Sequence, residues 1–575
     1  MSTLEDACAE LNDSQTAAMD VEGHCVVIAP PGSGKTKLLV TRLARDLSDR
    51  IAPPSGAACV TLTTAAAAEL SSRFGQLSGD QRSNLFIGTV HGFALNRILR
   101  PYAALAGLPE IQDARVLRRR EAEALWAQTL RQKGIPDDPL LLNTVRKLRS
   151  EFASEEQWSL SGSAVQARDA YLQVLRDNRL LDFASIIEQA VTIVETHADV
   201  RLALRAAFDR IYVDEYQDLA PGLDRIVRDL CLSEEADPST LFAVGDTDQA
   251  IYGWTGTDSR LLTDLASQPE VTEITLQTNY RCGAVIAEIS RRLFPDGRPM
   301  ITARAGGSIE ALKVEGSVNG QVRRIAEEVA LLVESNVRPD AIGLLCRTNG
   351  LARAAAEALG DRGLDTWVRE DAEWESMTTN WLERACGTLL GLARGDGIGA
   401  LVDELARIVP NLDVEIRGQI VGLLLSIESG MSARQLTSDL LNLLVSAGTD
   451  AATVATDELA PLLDYLSSDP RVLRSVDELA ARQLRDGRVY VTTLSAGKGL
   501  EFDHVFIPDC DDGRIPFYRS INNRRELEEE RNKFYVGLTR ARFKVTLLWS
   551  GYTTDRWDRR HPCPVSRFIT QLRLT

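Results

Sequence analysis

A short apolar segment that runs into a glycine-rich turn, VVIAPPGSGKTKLL at residues 26–39, leaves this chain few folds to adopt. The apolar run at residues 26–28 predicts a strand, and a helix is predicted to begin near Lys35. Small residues in such a turn let backbone N–H groups converge on phosphate oxygens. Lys35 adds a cation there, and the Thr36 hydroxyl can ligate Mg²⁺. The segment therefore predicts a phosphate-binding loop between a strand and a helix.

The loop departs at one position from the usual pattern G-x-x-x-x-G-K-S/T, because Ala29 stands where the first glycine normally falls. The alternative interpretation is a turn rich in proline and glycine that binds nothing. The strand, turn and helix context favours a nucleoside triphosphate site over that alternative. The predicted nucleotide-binding residues of the loop are Gly32, Ser33, Gly34, Lys35 and Thr36.

A second apolar strand ends in two acids, within FDRIYVDEYQDLAPG at residues 208–222. Ligands of parallel sheets bind at the carboxyl ends of the strands, which is where Asp214 and Glu215 emerge. Asp214 is predicted to hold Mg²⁺ through water, and Glu215 to orient and deprotonate the attacking water. An acidic strand end without a partner is often only a solvated turn. Together with the phosphate loop, however, the two acids predict a hydrolase.

Length, charge and composition limit the classes of protein to which this chain can belong. A chain of 575 residues exceeds one hydrophobic core, so roughly three to four domains are expected. The formal net charge of −17 is unfavourable for a protein that coats nucleic acid, so any nucleic-acid site must be a local channel. Nine scattered cysteines without a CxxC pair argue against zinc, iron–sulfur or disulfide frameworks. No membrane span or secretion signal is predicted, which makes the cytoplasm the expected location.

Nine segments in one fixed order carry a family resemblance from Leu11 to about Arg542. The segments are LNDSQTAAM, APPGSGKT, TLTTAAAAEL, GTVHGFA, VDEYQD, VGDTDQAIYGWTG, LQTNYRC, TLSAGKGLEF and YVGLTRAR. As an ordered set they closely resemble the UvrD/Rep/PcrA helicases of superfamily 1A.

The resemblance implies an α/β fold with two RecA-like P-loop motor domains, each a parallel sheet flanked by helices and interrupted by a mainly helical insertion. The first motor domain is expected at residues 1–93 and 199–271, with its insertion at 94–198. The second is expected at residues 272–370 and 487–575, with a short insertion at 371–486. The family usually has a glycine-plus-aromatic segment just before the second insertion. The segment DTWVREDAEWES resembles it only weakly.

The resemblance also implies contacts to ATP. Gln15 is expected to read the adenine edge, a role that suits an amide because it both donates and accepts hydrogen bonds. Tyr280 is expected to stack on adenine, and Glu501 to lie near the ribose hydroxyl groups.

Two arginines, Arg281 and Arg540, match the residues that reach the γ-phosphate from the second motor domain. Delocalised cations that enter on domain closure stabilise the charge that spreads over the phosphoryl oxygens. An isolated arginine usually forms a surface salt bridge instead, but the motif context of these two favours a catalytic role.

The loop VGDTDQAIYGWTG at residues 244–256 combines an amide with an indole. By resemblance, Gln249 senses the γ-phosphate while Trp254 stacks on a DNA base, so one loop links the nucleotide to the strand. Stacking is tolerant of sequence because every base has a π-face. Tyr252 is either a second stacking ring or a core residue, and the sequence does not decide between these.

Further DNA contacts are expected from Thr63, Thr89 and His91. Other positions depart from the family, and each departure removes a stacking, cationic or polar group, so weaker strand affinity is expected. The departures are Leu62, Thr64, Ala65 and Ser495. The basic clusters at 118–120 and 146–149 either contact a duplex backbone or form solvated helix faces, and the second alternative is favoured.

These features predict an Mg²⁺-requiring, ATP-dependent motor on single-stranded DNA, expected to move 3′ to 5′ and to separate 3′-tailed duplexes. The alternative is a DNA-sensing regulatory ATPase that switches a partner nuclease, as proposed for small UvrD-like members of Gabija-type phage defence. The short second insertion and the acidic composition favour that alternative somewhat. The biological pathway, repair, replication restart or defence, is left open.

Overall fold

The computed structural model describes residues 4–574 with the exception of 79–83, 113, 137, 234–236, 295–299, 369–373, 394–396, 410–411, 469–474, 485 and 555–558. Part of the segment DTWVREDAEWES, and the predicted domain boundary at 370/371, therefore lie outside the described residues.

The first motor domain is built on a six-stranded sheet in which all neighbouring strands are parallel. In spatial order the strands are Leu85–Thr89, Gly56–Thr61, Phe208–Val213, Thr240–Gly245, His24–Ile28 and Val271–Thr275. Its main helices are Leu4–Ala9, Asp13–Asp20, Lys35–Asp49, Thr64–Leu77, Pro221–Cys231 and Arg260–Ala266. The central strands are apolar because helices cover both faces of the sheet.

The first insertion leaves the sheet after Thr89 and returns at Phe208. Its helical segments are Val90–Phe93, the π-helix Ala94–Leu99, Arg100–Tyr102, Pro109–Gln112, Arg119–Lys133, Pro139–Ser150, Glu155–Ser159, Gly162–Asp177, Phe183–Thr196 and Ala198–Ala207. A short parallel pair of strands, Arg115–Val116 and Leu180–Leu181, joins its two ends. Its own apolar core includes Trp126 and Trp158.

The favoured prediction of a solvated helix face is wrong for Arg149. Its guanidinium is 5% exposed and lies 2.7 Å from a carboxylate oxygen of Asp182 and 2.6 Å from one of Glu188. This network attaches the helix Pro139–Ser150 to the helix Phe183–Thr196. Because Arg149 is buried among acids of its own insertion, it does not present its charge to DNA.

The second motor domain repeats the architecture with a second six-stranded parallel sheet. In spatial order the strands are Ser308–Lys313, Ala541–Trp549, Phe502–Ile507, Ile342–Cys346, Val489–Thr493 and Thr366–Val368. Its main helices are Ala284–Arg291, Val318–Glu334, Asn349–Gly360, Arg524–Leu538 and Arg567–Leu572. Two strand pairs flank the sheet, Thr278–Gly283 with Ile301–Arg304 and Tyr552–Thr554 with Arg560–Pro562.

The second insertion is helical in its described residues and has a separate apolar core. Its helices are Met377–Leu389, Ile398–Ile408, Val414–Leu425, Ala433–Ser446, Thr449–Ser468 and Val476–Ala481. The first two helices pack against the helix Thr64–Leu77 of the first motor domain. The predicted α/β class, with two parallel sheets flanked by helices, is confirmed. The exact domain boundaries stay predictions.

In the described part of the chain, no helix combines the length and the apolar character needed to cross a bilayer.

The two sheets contribute opposite edges to one cleft of about 1380 Å³. Loops that follow the first sheet's strands line one wall, at residues 31–37, 214–218 and 249–252. Residues that precede the second sheet's strands line the other wall, with Glu501 directly before Phe502 and Arg540 directly before Ala541. This arrangement places residues that are far apart in sequence around a single space.

Candidate functional site

The phosphate loop wraps around an anion-sized hollow at the start of the helix Lys35–Asp49. Gly32 and Gly34 have positive φ angles of 71° and 82°. A Cβ atom at Gly34 would lie 2.8 Å from Nε2 of Gln15, so a side chain there would push the loop apart. The Ser33 hydroxyl is buried and makes no hydrogen bond to any described residue. An unpaired donor beside a helix N-terminus fits a phosphate group.

The Ala29 departure leaves the loop intact. The backbone N–H of Ala29 donates to the carbonyl of Gly245 at 2.9 Å, which continues the strand pairing by one residue. Ala29 is not among the described residues with positive φ. Alanine is therefore tolerated at this position without strain.

The two strand-end acids differ in their surroundings. Asp214 is 4% exposed, and burial together with the adjacent Glu215 raises its pKa. Burial also opposes ionisation of Glu215, but Lys35 and Lys498 outweigh it and lower the pKa of Glu215. Glu215 is therefore a carboxylate at neutral pH, as a general base must be. Lys35 and Lys498 offset the rise in the pKa of Asp214 only in part, and among the described residues Asp214 forms no direct salt bridge. Its carboxylate and the Thr36 hydroxyl therefore fit as ligands of Mg²⁺.

Lys498 is a functional candidate that the sequence analysis did not identify. Its ammonium group contacts the Asp218 carboxylate, lies 3.4 Å from Glu215 Oε2 and donates to the Gln249 carbonyl at 3.0 Å. Its side chain is 9% exposed. The segment TLSAGKGLEF was recognised as a motif, but nothing local to it indicates that a lysine of the second motor domain reaches acids of the first.

We expect Lys498→Met to lower kcat for ATP roughly ten- to hundredfold and to move the acid limb of its pH profile to higher pH. The reason is that one of the two cations holding Glu215 ionised is lost, so its pKa rises and the base protonates at a higher pH. Steady-state ATPase rates measured from about pH 5 to about pH 9 locate the acid limb of the kcat profile. Lys498→Arg keeps the charge and serves as the control. If the acid limb of Lys498→Met lies at the same pH as that of the wild type, Lys498 has only a packing role.

The Arg540 guanidinium is a buried cation that faces the phosphate loop across the cleft. It is 2% exposed, and its hydrogen bonds go to neutral oxygens, including the Val536 carbonyl at 3.0 Å and Gln249 Oε1 at 3.4 Å. Burial and the neighbouring Arg281 lower its pKa. A desolvated cation surrounded by neutral acceptors fits an anionic ligand that arrives in the cleft.

Arg281 lies beside Arg540 but is already paired. Its Nε lies 3.0 Å from Glu501 Oε2, and the same carboxylate contacts Arg542. The pairing lowers the pKa of Glu501 against the opposing effect of burial. The predicted γ-phosphate residue and the predicted ribose residue are thus neighbours in this structure, and both line the cleft.

The two residues predicted to contact adenine, Tyr280 and Gln15, both form hydrogen bonds with Asn12. The Tyr280 ring is 43% exposed in the cleft, and its hydroxyl accepts a hydrogen bond from Asn12 Nδ2 at 2.6 Å. Gln15 is 3% exposed, and its Nε2 donates to the Ser33 carbonyl at 2.9 Å. Its Oε1 accepts from the Asn12 backbone N–H, which completes a helix capping box. Gln15 therefore supports the loop directly, while its contact with adenine stays a prediction.

The loop after the strand Thr240–Gly245 is anchored to both motor domains. Gln249 is 2% exposed and donates to Asp246 at 2.8 Å while its Oε1 accepts from Arg540. Asn532 of the second motor domain donates to the Ala250 carbonyl at 3.0 Å. Five residues after Gln249, the Trp254 side chain is 62% exposed. One short loop thus extends from the nucleotide cleft to the surface.

Tyr252 does not accompany Trp254 to the surface. It is half-buried in the nucleotide cleft, with the Lys498 ammonium group 5.8 Å from its ring centre. Its contact with DNA stays a prediction. Thr63 is exposed at another part of the same cleft, where its hydroxyl caps the helix Thr64–Leu77.

Thr89 and His91 lie elsewhere, in a second cavity between the first motor domain and the second insertion. Thr89 caps the following helical turn by accepting from the Gly92 N–H at 3.1 Å. His91 packs edge-on against Phe183 at 5.1 Å, and burial lowers its pKa to about 4. His91 is therefore neutral at pH 7, so any contact with DNA uses its hydrogen-bonding capacity and not a charge.

A phosphate loop, a strand-end acid pair and arginines from a second parallel sheet define a P-loop nucleoside triphosphate hydrolase with a composite active site. The UvrD/REP helicase N-terminal domain profile matches residues 11–270, and the UvrD-like helicase C-terminal domain profile matches residues 438–552. The chain belongs to the UvrD-like helicase family, as the sequence motifs predicted.

Relatives that are named DNA helicases align with most of this chain. The ATP-dependent DNA helicase UvrD1 of Mycobacterium tuberculosis (strain H37Rv) is 27% identical, and the alignment covers 98% of this chain and 85% of that relative. DNA helicase II of Escherichia coli (strain K12) is 26% identical, with 94% and 84% covered. The ATP-dependent DNA helicase UvrD2 of Mycobacterium tuberculosis (strain CDC 1551) is 26% identical over 64% of this chain and 51% of that relative.

Proposed function

We propose that this chain is an Mg²⁺- and ATP-dependent translocase on single-stranded DNA that moves 3′ to 5′ and separates 3′-tailed duplexes. Membership of the helicase family supports ATP as the fuel and DNA as the substrate. The direction of movement and the path of the strand are the finer parts of the proposal.

The observation that carries the proposal is the loop from Asp246 to Trp254. Its inner end contacts Arg540 and Lys498, both from the second motor domain, and its outer end exposes the indole of Trp254. Movement of Arg540 toward a γ-phosphate would break or tighten the 3.4 Å hydrogen bond to Gln249. The loop would then shift, and Trp254 would change its grip on a stacked base. Domain closure on ATP and strand grip are coupled in this way.

The chain's own groups account for the chemical step. Glu215 is ionised and takes the proton of the attacking water, while Lys35 and Arg540 stabilise charge on the phosphoryl oxygens. Mg²⁺ held by Thr36 and Asp214 supplies further neutralisation of the phosphates when bound. Lys498 connects this chemistry to the second motor domain, because it contacts Glu215 and the Gln249 loop together.

Trp254→Ala tests the coupling. We expect the single-stranded DNA concentration for half-maximal ATPase stimulation to rise roughly ten- to hundredfold, since stacking contributes about 1 to 3 kcal/mol per base. The measurement is steady-state ATPase against oligonucleotide concentration. Trp254→Phe keeps an aromatic face and is the matched control, expected to fall between wild type and Trp254→Ala. Identical DNA dependence in wild type and Trp254→Ala would contradict the proposed strand path.

A second candidate function is a DNA-sensing ATPase that switches a partner nuclease. It is favoured by the packing of the second insertion on the helix Thr64–Leu77, which bridges the two motor domains. A bridge of this kind suits a two-state switch better than continuous stepping. Strand separation by the isolated chain on 3′-tailed but not 5′-tailed duplex supports the motor. DNA-stimulated ATPase without separation on either substrate supports the switch.

A further inference from the structure

The second cavity has a volume of about 1810 Å³ and adjoins the nucleotide cleft described above, with which it shares the lining residues Glu375 and Arg482. One wall consists of the first motor domain and its insertion, and includes the predicted DNA residues Thr89 and His91. The opposite wall consists of the second insertion, including the helix Thr449–Ser468. The cavity is thus a groove between two bodies of the chain.

The two walls carry opposite charge. Among the described lining residues, the first wall has six arginines and two glutamates, and the second has three arginines and four acids. The arginines of the first wall are Arg97, Arg100, Arg115, Arg118, Arg119 and Arg120. In a chain with a formal net charge of −17, a wall with a positive balance is a local exception. Such a local channel is what a phosphodiester backbone requires from an acidic protein.

Two ion pairs close the groove from wall to wall. The Arg100 guanidinium contacts the Asp457 carboxylate, and Arg118 Nη2 lies 3.1 Å from Asp464 Oδ2. Asp457 and Asp464 are seven residues apart on the helix Thr449–Ser468, so two helical turns place them on one face. Both pairs join residues more than 300 positions apart in sequence.

The two pairs differ in exposure. The Asp464 side chain is 74% exposed, so its pair with Arg118 is a surface ion pair and contributes little to stability, whereas Arg100 and Asp457 are 16% and 31% exposed and form a partly buried pair. The helix has other attachments, since Glu458 accepts from the Thr378 backbone N–H at 2.8 Å and Leu459 and Leu462 are buried in the insertion's core. The helix therefore has attachments to its own insertion that do not involve the two aspartates, and both aspartates contact arginines of the opposite wall.

We propose that Arg100 and Arg118 form a phosphate-binding subsite for a DNA backbone, and that Asp457 and Asp464 occupy it until DNA displaces them. A carboxylate and a phosphodiester present similar oxygen acceptors to a guanidinium, so they compete for the same donors. The subsite rests on the proposed function, because it takes DNA as the ligand. It adds an internal competitor that sets how strongly DNA must bind to open the groove.

The test is the double variant Asp457→Asn, Asp464→Asn in the full chain, with DNA affinity measured by anisotropy across a salt series. Freed arginines gain up to two phosphate contacts, so binding at 0.1 M salt tightens roughly tenfold or more. The slope of log affinity against log salt concentration becomes steeper by up to about 1.8, a change that a purely structural effect would not produce. Arg100→Ala with Arg118→Ala is expected to weaken binding and to flatten the slope.

The control is Glu415→Gln with Asp439→Asn, which removes the same charge from the same insertion outside the groove. If the control tightens binding equally, the effect is general electrostatics and the subsite is refuted. Unchanged or weaker binding by the aspartate variant also refutes it. Affinities for a blunt duplex and for a single-stranded oligonucleotide show which form of DNA the aspartate variant binds more tightly than wild type does. Tighter binding of either form supports the subsite. DNA-stimulated ATPase of the wild type tests the proposed function separately, so the two failures are distinguishable.

Discussion

Glu215→Gln is expected to reduce kcat for ATP by roughly a thousandfold while ATP binding is retained. Glu215 is half-buried, is kept ionised by Lys35 and Lys498, and adjoins the phosphate loop through its 3.4 Å contact with Lys35. Glutamine has nearly the same shape and can still accept a hydrogen bond from Lys35, but it cannot take a proton from water. The loss should therefore fall on the chemical step. Single-turnover hydrolysis and equilibrium binding of a fluorescent ATP analogue separate the two quantities.

A matched control is available in the same cleft. Glu69 lines the cleft on the helix Thr64–Leu77 but pairs with Arg73 away from the phosphate loop. Glu69→Gln should hydrolyse ATP at close to the wild-type rate. A Glu215→Gln variant that kept more than about a tenth of wild-type kcat would contradict the assignment of the general base.

Arg540→Ala should lower kcat by about a thousandfold, the lower end of the range for arginines that stabilise phosphoryl transfer. The guanidinium is desolvated, and its hydrogen bonds within the described residues go to neutral oxygens, so no carboxylate there pairs with it directly. Its effect is expected in the transition state, where charge on the phosphoryl oxygens is greatest. We therefore expect kcat to fall far more than the KM for ATP changes.

Two further variants separate chemistry from folding. Arg540→Lys keeps a positive charge but loses the planar guanidinium that contacts several oxygens at once, so it should restore little activity. Arg542→Ala removes a nearby arginine whose charge is already matched by Glu501 and Asp503, and its effect should be much smaller. Thermal unfolding of each variant shows whether the buried site still folds. Equal rates for Arg540→Ala and Arg542→Ala would remove the proposed role of Arg540.

Much of the active site was predictable because its chemistry is local. The phosphate loop, the acid pair after Val213 and the two parallel sheets follow from segments in which neighbouring residues act together. A strand, a tight turn and a helix N-terminus are encoded within about a dozen residues, as the phosphate-loop pattern illustrates. The family assignment rests on the same local segments in a fixed order.

Other features depended on contacts between distant segments. Arg149 looked like part of a basic helix face, yet it is buried between Asp182 and Glu188 of a neighbouring helix. Tyr252 is two residues from Trp254, yet its ring faces the nucleotide cleft near Lys498 while the indole faces solvent. Helix periodicity and residue spacing do not specify which side chains meet across two domains.

The sequence alone established a P-loop hydrolase with two parallel sheets and the helicase family, because short motifs encode backbone geometry and ligand chemistry together. Only the tertiary structure placed Lys498 between Glu215 and the Gln249 loop, and Asp457 and Asp464 against Arg100 and Arg118. The physical reason is that electrostatic interactions depend on distance and burial in three dimensions, and both are set by domain packing.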